Sequence, residues 1–80
     1  MEAGGTVETL DCLGQLCPLP IIAAGRALRQ MSLGGEVVLL SDDPGVLVDM
    51  PAFCSACKQE LVSVDTDGSV HTLRIRKVRA

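Results

Sequence analysis

Apolar residues change their spacing several times along the chain, and each change marks an element. "TVETLDCL" carries β-branched residues in partial alternation and predicts a short strand at about 6–11. "GQL" follows as a loop. From Pro18 to about Met31, Ile21, Ile22, Ala24, Gly25, Leu28 and Met31 recur at helical spacing, while Arg26, Arg29 and Gln30 fall mainly off that face. "SLGG" ends the helix with glycine after the last periodic residue. "EVVLLSD" at 36–42 is almost continuously apolar, as suits a strand covered by helices. "DDPG" is turn chemistry.

Pro51 constrains the next segment, because proline disrupts a helix interior but is tolerated in its first turn. With Asp49 as N-cap, a second helix is expected at about 50–58, and 45–48 forms a turn or helical lead-in. "ELVSVDT" alternates and predicts a strand at 60–65. "TDGS" is a hairpin turn signalled by Asp-Gly, and "VHTLRIRKV" alternates again over about 70–77. The order is β-α-β-α-β-β. Strands joined through helices point to a parallel pair, and the hairpin adds an antiparallel one. The expected fold is an α/β (α+β) two-layer sandwich, a mixed four-stranded sheet with two helices on one face. Residues 1–5 read as a flexible start and 6–80 as one domain.

Composition narrows the function. With Phe53 the sole aromatic, the core must be aliphatic. The net charge of −3 and the lack of stacking side chains argue against nucleic acid. The exception is a basic C-terminal strand, where Arg74, Arg76, Lys77 and Arg79 fall within seven residues. It leaves a nucleic-acid or regulatory binding module as an alternative. The start shows no signal peptide, and the longest apolar run, "VVLL", is too short to span a bilayer, so a cytoplasmic, membrane-free protein is expected. In that compartment four cysteines suggest catalysis, metal binding or burial rather than disulfides.

Cys17 stands immediately before Pro18 and Pro20. Both prolines fit the first turn of a helix, which puts Cys17 at the N-cap or its edge. Unpaired backbone N–H groups and the helix dipole there are expected to favour a thiolate. Attack on carbon needs a histidine base, and nothing in the sequence places His71 beside Cys17. Attack on sulfur needs only an activated, exposed thiol and a docking surface, which suits a domain of 80 residues.

"LDCLGQLCPLPII" resembles the TusA/SirA-type sulfur-carrier family, whose hallmark is Cys-Pro-x-Pro preceded by Asp-x-x-Gly-x-x. Asp11, Gly14, Cys17, Pro18 and Pro20 carry the match. "SDDPGVLVDMPAFCSACKQELVS" is similar to the family's second region, through Asp42, Asp43, Pro44, Asp49, Pro51, Glu60 and Leu61. The resemblance runs over about residues 8–78. It implies that Cys17 accepts sulfane sulfur as a persulfide from a cysteine desulfurase or rhodanese-like donor. It also implies delivery to a downstream relay protein, serving tRNA thiolation, cofactor synthesis or sulfur metabolism. Such a carrier is a stoichiometric shuttle without a cofactor. Because it must leave its partners, a monomer is expected. Leu13 stands where many relatives carry arginine, so that positive charge is missing near the sulfur.

Three cysteines remain. Cys54 and Cys57 form Cys-x-x-Cys inside the second helix and share one face, a candidate redox pair or simple core residues. As a thiol-disulfide pair they define a further alternative function. A zinc site would need two more ligands, so no metal is expected. Cys12, at the end of the first strand, is a candidate resolving thiol for Cys17.

Overall fold

The structure, a computed structural model, describes residues 6–80; the expected flexible start at 1–5 lies outside the described residues. The elements are β1 (Val7–Asp11), α1 (Leu19–Gln30), β2 (Glu36–Ser41), α2 (Val46–Cys57), β3 (Glu60–Asp67) and β4 (Val70–Arg76). The sheet order is β1-β2-β4-β3. β1 and β2 run parallel, whereas β2–β4 and β3–β4 are antiparallel. This is the expected α+β sandwich with a mixed sheet.

Alternation decides which face of the sheet the helices cover. Val37 and Leu39 of β2 and Leu73 and Ile75 of β4 are fully buried beneath them. On α1, Ala24, Ala27 and Leu28 point into that core, and on α2 Val46, Met50 and Cys54 do so. At the hairpin, Gly68 takes the first central position with φ 63, which suits the mirror-image turns that match strand twist. The centre is therefore Gly68-Ser69, one residue beyond the Asp-Gly expected from sequence.

Helix α2 departs from expectation. It begins at Val46, with Gly45 as N-cap, so Asp49 does not cap it and Pro51 lies inside. Proline there removes the N–H that would reach the Leu47 carbonyl. Burial outweighs that loss: Val46 and Met50, four residues apart, seat the first turn on the core ahead of the proline.

Phe53 packs across Gly25 of α1. A Cβ built on Gly25 would meet the Phe53 ring at 3.5 Å, an ordinary contact. Gly25→Ala is therefore expected to raise stability by about 0.5–1 kcal/mol through helix propensity, read from the urea midpoint at constant m.

The basic strand is largely engaged. Arg74 and Arg76 both pair with Glu36, Arg76 also reaches Glu60 at 3.1 Å, and Lys77 donates to the Met31 carbonyl at 2.7 Å. No described helix is long and apolar enough to cross a membrane.

Candidate functional site

β1 and β2 are parallel neighbours, so both reach the same end of the sheet, at Asp11 and Ser41. The loops that follow them meet there. In the first loop, Asp11 accepts from the Leu13 N–H at 3.0 Å, and Gly14 turns the chain with φ 82. That left-handed conformation is one glycine adopts without a steric penalty. The second loop holds the first through carboxylates: Asp42 accepts from the Gly14 N–H at 3.0 Å and Asp43 from the Cys17 N–H at 2.8 Å. The other oxygen of Asp43 accepts from the Gly45 N–H at 3.1 Å, and the Asp43 N–H donates to the buried Ser41 hydroxyl at 3.1 Å.

Cys17 is half-buried at the mouth of this arrangement. Its Sγ donates to Oδ2 of Asp49 across 2.5 Å. Pro18, not Cys17, is the N-cap of α1, which starts at Leu19 with Pro20 in its first turn. The sulfur thus lies just outside the helix.

The expected thiolate is not favoured here. The hydrogen bond to Asp49 is the main reason the Cys17 pKa rises from an ordinary 9.0 to about 11; desolvation and the charges of Asp49 and Asp43 add to it. A formal carboxylate charge in contact with the sulfur outweighs the partial charge of a helix end. Asp43 shifts the other way, held below the usual carboxylate range by the Cys17 and Gly45 N–H groups and, more weakly, by the charge of His71. The first loop is therefore fastened to an ionised Asp43.

A raised thiol pKa fixes the sign of its pH dependence. The stabilisation it represents is fully present below the ordinary thiol pKa and is lost as pH rises through about 11. The difference in thiolate absorbance near 240 nm between the native protein and Cys17→Ser is expected to rise with a midpoint of about 11. In an Asp49→Asn background the midpoint moves down.

The other cysteines and His71 differ in burial and in partners. Cys12 is buried in the core at the end of β1, its N–H on the Leu40 carbonyl at 2.9 Å. Burial, then the Asp11 charge, pushes its thiol up. Cys54 is buried under α2 and raised to about 11, chiefly by desolvation. Cys57 is exposed and lines a cavity of about 310 Å³ with Phe53, Arg29 and Lys77, away from Cys17. All four thiols are free. His71 is buried on β4 opposite Ser41, its Nδ1 2.9 Å from the Thr66 hydroxyl.

Exposed apolar residues lie close in the chain to both members of the pair: Leu13, Leu16 and Leu19 near Cys17, and Leu47 and Val48 next to Asp49. Leu16 and Val48 are each 72% exposed.

The family model for sulfurtransferase TusA matches residues 8–77. The chain belongs to the TusA family. A solved structure of a SirA-like protein from Desulfitobacterium hafniense is 27% identical, superposes with a TM-score of 0.76, and the match covers 92% of this chain and 100% of that one. Membership assigns this TusA-family chain a general sulfur-carrier or sulfurtransferase role, among partner proteins that give and receive sulfur.

Proposed function

We propose that Cys17 carries one sulfane sulfur as a persulfide, accepting it from a cysteine desulfurase or rhodanese-like donor and passing it to an acceptor protein. Sγ attacks the outer sulfur of the donor persulfide. A new S–S bond forms on Cys17, the donor's S–S bond breaks, and the donor leaves as a thiol with the proton Cys17 gives up. No external oxidant or reductant enters the exchange.

The observation that carries this role is the placement of Cys17, half-buried at the sheet end, with its backbone fixed by Asp43 and its sulfur by Asp49. A sulfur relay needs a fixed, reachable sulfur more than a substrate pocket. The exposed side chains of Leu13, Leu16 and Leu19, near Cys17 in the chain, and of Leu47 and Val48, next to Asp49 in the chain, supply apolar area for brief docking. The carboxylates add a second property. A thiol held mainly protonated reacts slowly with oxidants, so the empty carrier survives between encounters. Once loaded, the persulfide anion faces the same negative charge, which favours handing the sulfur on.

The test is incubation with a cysteine desulfurase and L-cysteine, and separately with a rhodanese and thiosulfate, followed by intact mass and peptide mapping. One added sulfur on Cys17, removed by reductant, is the expected result. No sulfur on Cys17 from either donor would overturn the assignment.

A further inference from the structure

We infer that Asp49 is a catalytic residue of the sulfur transfer, the base that takes the Cys17 proton as Sγ attacks. This role rests on Cys17 being the sulfur-carrying thiol. The geometry supplies the proton path before any partner arrives: Sγ already donates to Oδ2 of Asp49 at 2.5 Å. Asp49 is carried on α2, seated by buried Val46 and Met50, while Asp43 accepts from the Cys17 backbone N–H. The two groups come from different loops and elements, 32 residues apart, so the contact is built by the tertiary fold.

The surroundings explain why a base is needed. Asp43, from the β2–α2 loop, adds its charge at Cys17. Asp42 and Asp11 occupy the Gly14 and Leu13 N–H groups of the same loop. His71, on β4, acts on Asp43. Among the described residues, the ion pairs gather instead on Glu36 and Glu60. A free thiolate among these acids is disfavoured. Transfer within the pair avoids that penalty, because one negative charge leaves Asp49 as the other develops on sulfur. The total charge at the site is unchanged. When the donor's sulfur has moved, the neutral Asp49 returns its proton to the departing donor thiolate, and the carboxylate is restored.

A base at Asp49 and a purely electrostatic Asp49 change the rate in opposite directions when the carboxylate is removed. If Asp49 only raised the thiol pKa, Asp49→Asn would increase the thiolate fraction at pH 7. After allowance for the lower nucleophilicity of a less basic thiolate, reaction would accelerate by up to roughly tenfold. If Asp49 is the base, Asp49→Asn slows reaction by about 10²-fold, within the usual range for general-base catalysis.

The probe is methyl methanethiosulfonate, which transfers a methylthio group to Cys17 and releases methanesulfinic acid, so it needs no protein donor. Cys57→Ser removes the competing exposed thiol, and peptide mapping follows Cys17. Native Asp49 is expected to give a rate nearly level between about pH 6 and 8. Asp49→Asn is expected to give a slower rate that climbs about tenfold per pH unit, as thiolate alone reacts. Asp49→Glu keeps a carboxylate within reach and is expected to restore the level profile. A rate for Asp49→Asn equal to or above the native one at pH 7 would overturn the role of Asp49, even where desulfurase loading of Cys17 succeeds. Failed loading with an intact methylthio-transfer profile would instead remove sulfur carriage and leave the proton path standing.

Discussion

Cys17→Ser is expected to abolish sulfur loading and to leave the fold unchanged. The loss should be complete because an alcohol oxygen cannot take up sulfane sulfur as a stable persulfide. The fold should hold because serine can keep both hydrogen bonds made by residue 17. The Asp43 bond is made by the backbone N–H of residue 17, which serine keeps. The bond to Asp49 needs a short side-chain donor, and a hydroxyl supplies one. A change in unfolding free energy within about 0.5 kcal/mol is therefore expected. Intact mass after incubation with desulfurase and L-cysteine reads the first effect, and a urea titration reads the second. The companion variant Cys57→Ser should load normally, since Cys57 lies at the far end of α2 beside Phe53. Wild-type loading of Cys17→Ser, with the sulfur mapped to another cysteine, would move the carrier role elsewhere.

The sequence made the scaffold legible and left most of the chemistry hidden. Val37, Leu39, Leu73 and Ile75 alternate with polar or half-exposed neighbours, and the period of two reports directly on which face is covered. Pro18 and Pro20 likewise locate the start of α1 to within a residue, because proline's constraint is local. The site depends on contacts that no local rule reaches. Asp49 could be read as a helix cap, since it precedes Pro51 and has the right side chain for one. Its carboxylate instead meets a sulfur 32 residues back. Asp43 reads as turn chemistry and serves as that through Gly45, but its second oxygen also fixes Cys17 from 26 residues away. The thiolate expectation failed for the same reason. The carboxylates brought to Cys17 by β2 and α2 outweigh the helix end that follows it. The absence of a positive charge at Leu13 pointed in the right direction, but it named no partner.

Leu39→Ala is expected to be the most destabilising single truncation of the sheet layer. Leu39 is fully buried in β2, paired in register with Leu10 of β1 and Leu73 of β4, so it touches the core from the centre of the sheet. Removing its side chain deletes buried apolar surface and leaves a cavity that a hydrogen-bonded central strand cannot close. Such changes cost about 2–5 kcal/mol. A chain of this size has a total stability on the order of 4–12 kcal/mol, so the loss is a large share of it. At roughly 4–8 °C per kcal/mol, the melting temperature should fall by about 8 °C or more. Leu40→Ala, on the half-buried opposite face, should fall by much less. The effect on function follows from where β2 leads. Ser41 ends it and accepts from the Asp43 N–H, while Asp42 and Asp43 follow and hold the Cys17 loop through the Gly14 and Cys17 N–H groups. Yet these bonds do not use the Leu39 side chain. Loading by Leu39→Ala should therefore follow the folded fraction, reduced near the melting transition and recovered per folded molecule at about 10 °C, where the protein is mostly native. Loading that stays depressed in the cold, with native circular dichroism, would mean that Leu39 supports the geometry of the site itself and not only the stability of the sheet beneath it.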